Sequence, residues 1–291
     1  MRKAILLSGL AILAAAALVV PLPVVELSPG PAVDVPPLVR VDHPTRAVKG
    51  RLLLLTVEVS QPSAAGLLRA LVTSQHELVP RQEVIPPGVD PGAFERAERR
   101  VFDESAREAA AVALRAAGLP VRVTGGGVDV AAVIPGGPSD GVLEAGDVIT
   151  AVDGRATHLA ADLAADSARA RAGQMVTLQV KRHHTIRDLV VTLEPVGSLG
   201  RAGLGVAIRS LDPKIALPFP VRIEAGDIGG PSAGLMMALS VYDLVGPTDL
   251  TGGRVVAGTG TIDLAGNVGP IGGIAEKVVA AQRAGATVFL A

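Results

Sequence analysis

The spacing of apolar residues changes several times along the chain, and each change marks a different kind of element. Ala4 to Val20 is apolar apart from Ser8 and follows Met1-Arg2-Lys3. At about 1.5 Å per residue this run spans roughly 26 Å, and continuing through Val25 reaches the roughly 30 Å of a bilayer core. Arg2 and Lys3 predict a cytoplasmic N-terminus with everything after residue 25 outside. A cleaved signal peptide is the competing reading, because Ala15-Ala16-Ala17 offers small residues for cleavage. Pro21 to Pro37 reads as an extended, proline-rich stalk.

Gly50 to Pro62 follows as a buried strand with β-branched residues at its far end. From about Pro91 to Ala117 the spacing is helical, with Pro91 near the start and Gly118 as the cap. Phe94, Ala97 and Val101 run on into Glu104 and Glu108, an incomplete apolar face that predicts a largely solvated helix. Residues 120–195 read as short strands and turns around one helix, His158 to Gly173, and end in a hairpin from Gln174 to Pro195. From Val196 the pattern returns to α/β. A strand over Pro220–Ile228 leads into a glycine-rich turn and a helix, apolar almost all round, that stops at Gly246. Then come strand, turn, strand and loop over 253–273, a helix from Ile274 capped by Gly285, and the start of a strand at Ala286. The expected division is an anchor over 1–25, a stalk and N-terminal α/β region over 26–118, a small β-rich domain over 119–196 and an α/β domain over 197–291.

Composition narrows the chemistry. A net charge of −1 gives no basis for a nucleic-acid partner. The chain has no cysteine, which excludes disulfides, thiol catalysis and cysteine-bound metals. Only four Phe and one Tyr are present, so the core must pack from Val, Leu, Ile and Ala.

Leu143-Glu144-Ala145-Gly146-Asp147-Val148-Ile149, followed by Val152-Asp153-Gly154, resembles the PDZ domain over about 75 residues. In that family the glycine and aspartate shape a turn before a core strand and serve as scaffold. The resemblance implies an extended peptide added at an open sheet edge. Its groove would lie between Val121–Thr124 and the helix near Leu159–Arg171, with Gly118, Leu119, Val121 and Val123 as peptide-binding residues. Gly118-Leu119-Pro120-Val121 stands where a carboxylate-cradling loop would come, although Pro120 removes one backbone donor.

Ser232 lies at the mouth of the helix ending at Gly246, in Gly229-Gly230-Pro231-Ser232-Ala233-Gly234. Unpaired N–H groups and the helix dipole favour negative charge there, and the glycines let a ligand approach the backbone. A serine so placed can attack a carbonyl or merely cap the helix. A nucleophilic serine needs a base. The five histidines all lie before the last segment, whereas Lys277 falls inside a stripe of Ile274, Val278 and Ala281. A lysine on a buried face loses hydration and its pKa falls; the alternative is a side chain that snorkels to water.

Gly229-Gly230-Pro231-Ser232-Ala233-Gly234 followed by Pro270-Ile271-Gly272-Gly273-Ile274-Ala275-Glu276-Lys277, with "GTGTIDLAGNVGPIGG" leading into the second, resemble the proteolytic domain of Lon proteases over Ile208–Ala291. The resemblance implies a Ser-Lys peptidase with Ser232 as nucleophile and Lys277 as base. Thr259 would support the lysine, Gly229 and Gly230 the oxyanion. The fold expected is an α/β Lon-type domain plus a small β-rich PDZ domain behind one transmembrane helix. No G-x-x-x-x-G-K-[ST] occurs, so ATP-driven unfolding is not expected. Many ATP-dependent relatives carry an acid directly before Gly-Pro-Ser. Here that position is Gly229, with Asp227 two residues upstream.

The whole order resembles bacterial membrane-anchored, PDZ-containing Lon-like peptidases. That implies unfolded or membrane-proximal extracytoplasmic substrates and a ring-like homo-oligomer, with no cofactor and no metal. A non-catalytic PDZ adaptor and a tail-specific-protease-like enzyme are the rival functions. A phosphate site at the glycine-rich turn is a third.

Overall fold

The computed structural model describes residues 24–62, 77–196 and 200–291. The expected anchor lies outside them except for Val24 and Val25, which begin a strand. Among the described residues no helix is long and apolar enough to cross a membrane. In chain order the first elements are β1 (Val24–Asp34), β2 (Val39–Val41), β3 (Arg51–Ser60), β4 (Glu77–Pro80) and α1 (Pro91–Ala116). Next come β5 (Arg122–Thr124), β6 (Val128–Val133), β7 (Val148–Val152), β8 (Arg155–Ala156) and α2 (Ala160–Arg169). They are followed by β9 (Met175–Arg182), β10 (Thr185–Thr192), β11 (Glu194–Val196), β12 (Arg201–Gly203), β13 (Val206–Ser210) and β14 (Lys214–Ala216). The last are β15 (Val221–Ile223), α3 (Gly234–Val245), β16 (Val255–Gly258), β17 (Thr261–Ile262), β18 (Val268–Gly269), α4 (Ile274–Arg283) and β19 (Val288–Leu290).

Two compact units result, one from the chain up to Pro120 together with Leu217–Ala291, the other Val121–Ala216. The smaller is therefore inserted into the larger. Residues 26–118, expected as a region of their own, belong with the C-terminal segment. The reason is strand pairing: the five-stranded sheet runs β19-β16-β3-β1-β4, with β16 parallel to both β3 and β19. Leu52, Leu53, Leu54 and Leu55 are all buried, as a central strand covered on both faces requires.

Helix α1 corrects an expectation. Asp90 caps it, accepting the Ala93 N–H at 2.9 Å. Its second half is buried rather than solvated: Phe102, Ser105, Ala106, Ala109, Ala110, Ala111, Ala113 and Leu114. Alanines, weak in a hydrophobicity pattern, here let α1 pack closely on α3. Gly118 then closes the helix in the left-handed region (φ +78°). Its N–H bonds the Arg115 carbonyl and the Leu119 N–H that of Leu114, the two bonds of a Schellman cap.

The smaller unit has its own core of Val128, Val130, Ile149, Leu178 and Val180, all fully buried. Its sheet runs β10-β9-β7-β6-β13. It extends to Ala216, beyond the expected 196, because β13 pairs with β6 and β14 with β5. Buried Asp147 receives Nε and Nη2 of Arg182 at 2.7 and 2.6 Å and the Glu144 N–H at 2.9 Å. Arg182 also reaches Glu144 and the Val142 carbonyl. Gly146-Asp147 thus shapes the turn before β7, as expected of scaffold.

The two-residue β9–β10 turn is His183-His184, both at positive φ (47° and 69°). Such a turn favours Asn-Gly, and histidine strains it. Replacing the pair by Asn-Gly should stabilise this unit by about 1 kcal/mol, read as a higher urea midpoint; an unchanged midpoint would show that the turn carries no strain.

Candidate active site

Three neighbouring segments of the larger unit bring the site together. The nucleophile candidate precedes α3, Thr259 follows β16, and Lys277 sits in the first turn of α4. Lys277 Nζ lies 3.1 Å from Ser232 Oγ and 3.1 Å from Thr259 Oγ1. The Thr259 hydroxyl donates to the Ser232 carbonyl at 3.0 Å, and the Gly260 N–H to the same carbonyl at 2.8 Å. Leu235 N–H in turn bonds the Gly260 carbonyl at 3.0 Å, so β16 and the start of α3 are stitched together on both sides of the serine.

Lys277 is 3% exposed and Thr259 fully buried. Among the described residues no carboxylate lies within ion-pair distance of Lys277. Burial, with no anion to offset it, pushes the Lys277 amine below its ordinary range. The snorkelling alternative does not describe this side chain. Ser232 does not cap α3 through its hydroxyl either: the N-cap is Ala233 and no side-chain cap bond forms. The N–H groups of Ser232 and Ala233 have no acceptor among the described residues.

Helix α4 buries only part of the face its apolar spacing predicts, Lys277 and Ala281. Ile274 and Val278 are 46% and 36% exposed, whereas Glu276, Lys277, Ala280 and Ala281 are buried. The alanines pack on Leu53, Leu55 and Ala257. Small residues permit the close approach of α4 to the sheet that draws Lys277 inward.

Gly229 and Gly230 adjoin α1 rather than open space. A Cβ on Gly229 would meet Glu98 Cβ at 2.8 Å, and one on Gly230 would meet Glu98 Oε2 at 3.0 Å. The Gly230 N–H is committed to the Glu98 carbonyl at 3.0 Å, which removes it as an oxyanion donor. Asp227 pairs with Arg99 at 2.6 Å on the surface and is 90% exposed. Glu98 and Ser105, both on α1, were not visible as site neighbours in sequence, because no local pattern reports a contact across more than a hundred residues.

On the same helix Glu108 has its carboxyl pushed up from 4.5 to about 6, by burial first and then by Asp263 and Glu104. An acid whose folded pKa is raised gives its full stability below about 4.5 and loses it as pH rises to about 6. Glu108→Gln should therefore stabilise the protein at pH 7 by about 1 kcal/mol, discounted for the solvent that reaches the group. The gain should vanish near pH 4.5. Thermal unfolding of both proteins at the two pH values checks the sign.

In the smaller unit the expected peptide-binding residues fall elsewhere. Gly118 and Leu119 form the cap of α1, and Val121 begins the unit. Val123 pairs with Ile215 in a separate two-stranded ribbon. Helix α2 packs over β12 and β13, so the strand presented to it is β13 rather than 121–124. β13 ends its sheet, with β6 on one side and no strand on the other among the described residues. The Ala160 N–H bonds Ser210 Oγ at 3.0 Å, and a cavity beside α2 is lined by Leu163, Ser167, Ala170 and Leu204.

Comparison with known proteins finds two separate stretches of similarity. The Lon protease of Roseiflexus castenholzii is 46% identical over 72 residues, covering 24% of this chain and 9% of that protein. The Lon protease of Citrifermentans bemidjiense is 44% identical over 135 residues, covering 41% of this chain and 16% of that protein. The chain thus aligns with less than a fifth of either relative's length. A crystal structure of the PDZ domain of the SdrC-like protein from Listeria monocytogenes is 28% identical. It covers 30% of this chain and 92% of that one, at a TM-score of 0.29. Residues 116–193 match the PDZ domain family, and residues 221–291 match the Lon protease (S16) C-terminal proteolytic domain.

Proposed function

We propose that this protein is a serine endopeptidase that uses Ser232 and Lys277 without ATP and takes peptides through its PDZ domain. The observation that carries the reading is the 3.1 Å approach of a buried, unpaired lysine amine to a serine hydroxyl at a helix mouth. The amine in its neutral form donates to Thr259 Oγ1, whose own proton is spent on the Ser232 carbonyl. The nitrogen lone pair is thereby left for the Ser232 proton. Ser232 Oγ attacks the scissile carbonyl as that proton passes to Lys277, and the N–H groups of Ser232 and Ala233 receive the oxyanion. Collapse breaks the C–N bond, and the ammonium returns its proton to the departing amine. Water then gives a proton to the amine and attacks the ester; as the acid leaves, the C–O bond to Ser232 breaks and the ammonium returns the proton to Ser232 Oγ.

Among the described residues, β2 occupies one edge of β15 and no strand the other, which suits an extended substrate. The peptide taken by the PDZ domain would add to β13 beneath α2. Acting without ATP, as proposed, it would take flexible or unfolded proteins as substrates. Under the N-terminal reading they are extracytoplasmic and close to the membrane. A fluorophosphonate probe should label Ser232, as located by mass spectrometry, and should not label Ser232→Ala. Failure of wild type to label would favour a non-catalytic peptide-binding role.

A further inference from the structure

The loop that carries Ser232 is held from outside the 221–291 segment, by α1. The Gly230 N–H, in the left-handed region at φ +82°, bonds the Glu98 carbonyl at 3.0 Å. Ser105, two turns further along the same face, is 5% exposed and donates its hydroxyl to the Pro231 carbonyl at 3.3 Å. That carbonyl also accepts the Gly234 N–H at 3.2 Å. The Arg99–Asp227 pair adds a third tie, but an exposed pair contributes little.

The Pro231 carbonyl and the Ser232 N–H belong to one planar peptide unit and point in opposite directions. Fixing the carbonyl therefore aims the N–H. Ser105 also meets the start of α3, since a Cβ on Gly234 would lie 2.9 Å from its Oγ. No side chain at 231 could do this work, because proline lacks the reach and its ring fixes only φ.

We propose that Ser105 is a positioning residue: by holding the Pro231 carbonyl it sets the Pro231–Ser232 peptide plane and aims the Ser232 N–H at the oxyanion. This rests on the reading of Ser232 as nucleophile. It assigns α1, which precedes the inserted unit in sequence, a part in the chemistry of the segment that follows it.

The test is Ser105→Ala in the full chain, with Ser105→Thr to restore the hydroxyl, read by amide hydrogen exchange and by steady-state kinetics on a flexible peptide. Loss of one such bond should speed exchange at Gly230 and Gly234 about fivefold and leave the Leu114 amide unchanged. The same change should lower kcat roughly tenfold with KM within about twofold, and threonine should recover both. Unchanged exchange at Gly230 and Gly234 in Ser105→Ala overturns the proposal, even in an enzyme that cleaves. Unchanged kcat in an active enzyme does the same. Faster exchange in a protein whose wild type cleaves nothing would support the hold on the loop and defeat the peptidase reading instead.

Discussion

Lys277→Met is expected to reduce peptide cleavage roughly 10⁴-fold, to the level of Ser232→Ala, while the protein stays folded. Methionine matches the length of the buried stem and removes only the amine. Without it nothing near Ser232 Oγ can take its proton: Thr259 is a hydroxyl already donating to a carbonyl, and no histidine reaches the site among the described residues. Stability should hold, because an unpaired buried amine contributes little and an apolar side chain suits the site. Lys277→Arg should be equally inactive, since a guanidinium stays charged at any working pH. In wild type the rate should rise with pH as Lys277 loses its proton. The midpoint should lie below the 10.5 of an ordinary lysine, because burial disfavours the ammonium. Either variant retaining a tenth of wild-type kcat would end the Ser-Lys mechanism.

Arg182→Met should destabilise the smaller unit by about 3–5 kcal/mol, the cost of leaving Asp147 buried and charged without its partner. Asp147 is 1% exposed in its side chain, against 13% for Arg182. Burial alone would raise the Asp147 pKa. The Arg182 hydrogen bonds, the Glu144 N–H and the guanidinium charge outweigh it and hold the carboxyl below its ordinary 3.8. The folded pKa is depressed, so this stability is present above about pH 4 and is lost as pH falls. Hydrogen exchange at Ile149 and Val180 in the full chain would report the effect, since the single Tyr lies in the other unit. Global-like protection persisting at those amides would show that the pair is dispensable.

Much of this was legible in sequence because the relevant signals are local. The Gly-Pro-Ser-Ala-Gly turn, the cap glycines 118 and 285 and the Gly146-Asp147 turn depend on residues a few positions apart. The stripe that points to the burial of Lys277 is only partly right. Of Ile274, Val278 and Ala281 only Ala281 is buried, because close packing on a sheet built from distant strands favours small residues and adds Ala280 to the face. Gly229 and Gly230 suggest room for a ligand, yet the occupant is Glu98 on a helix far back in the chain. Gly118-Leu119-Pro120 points to Val121–Thr124 as the peptide-binding strand. Strand order, which no local spacing encodes, set β13 under α2 instead.

The pairing of β3 with β16 has a consequence during biosynthesis. Arg46 and its partner Asp243 are 197 positions apart, and the strands they adjoin are separated by a similar length of chain. At roughly 5–20 residues per second the ribosome needs on the order of 10–40 s to deliver β16 after β3 has emerged. Throughout that interval the leucine-rich strand has an unpaired edge, a template for pairing with other nascent chains. The inserted unit, whose strands are contiguous in sequence, can fold first. Its early completion would keep the two halves of its host close together while the sheet waits for its two missing strands.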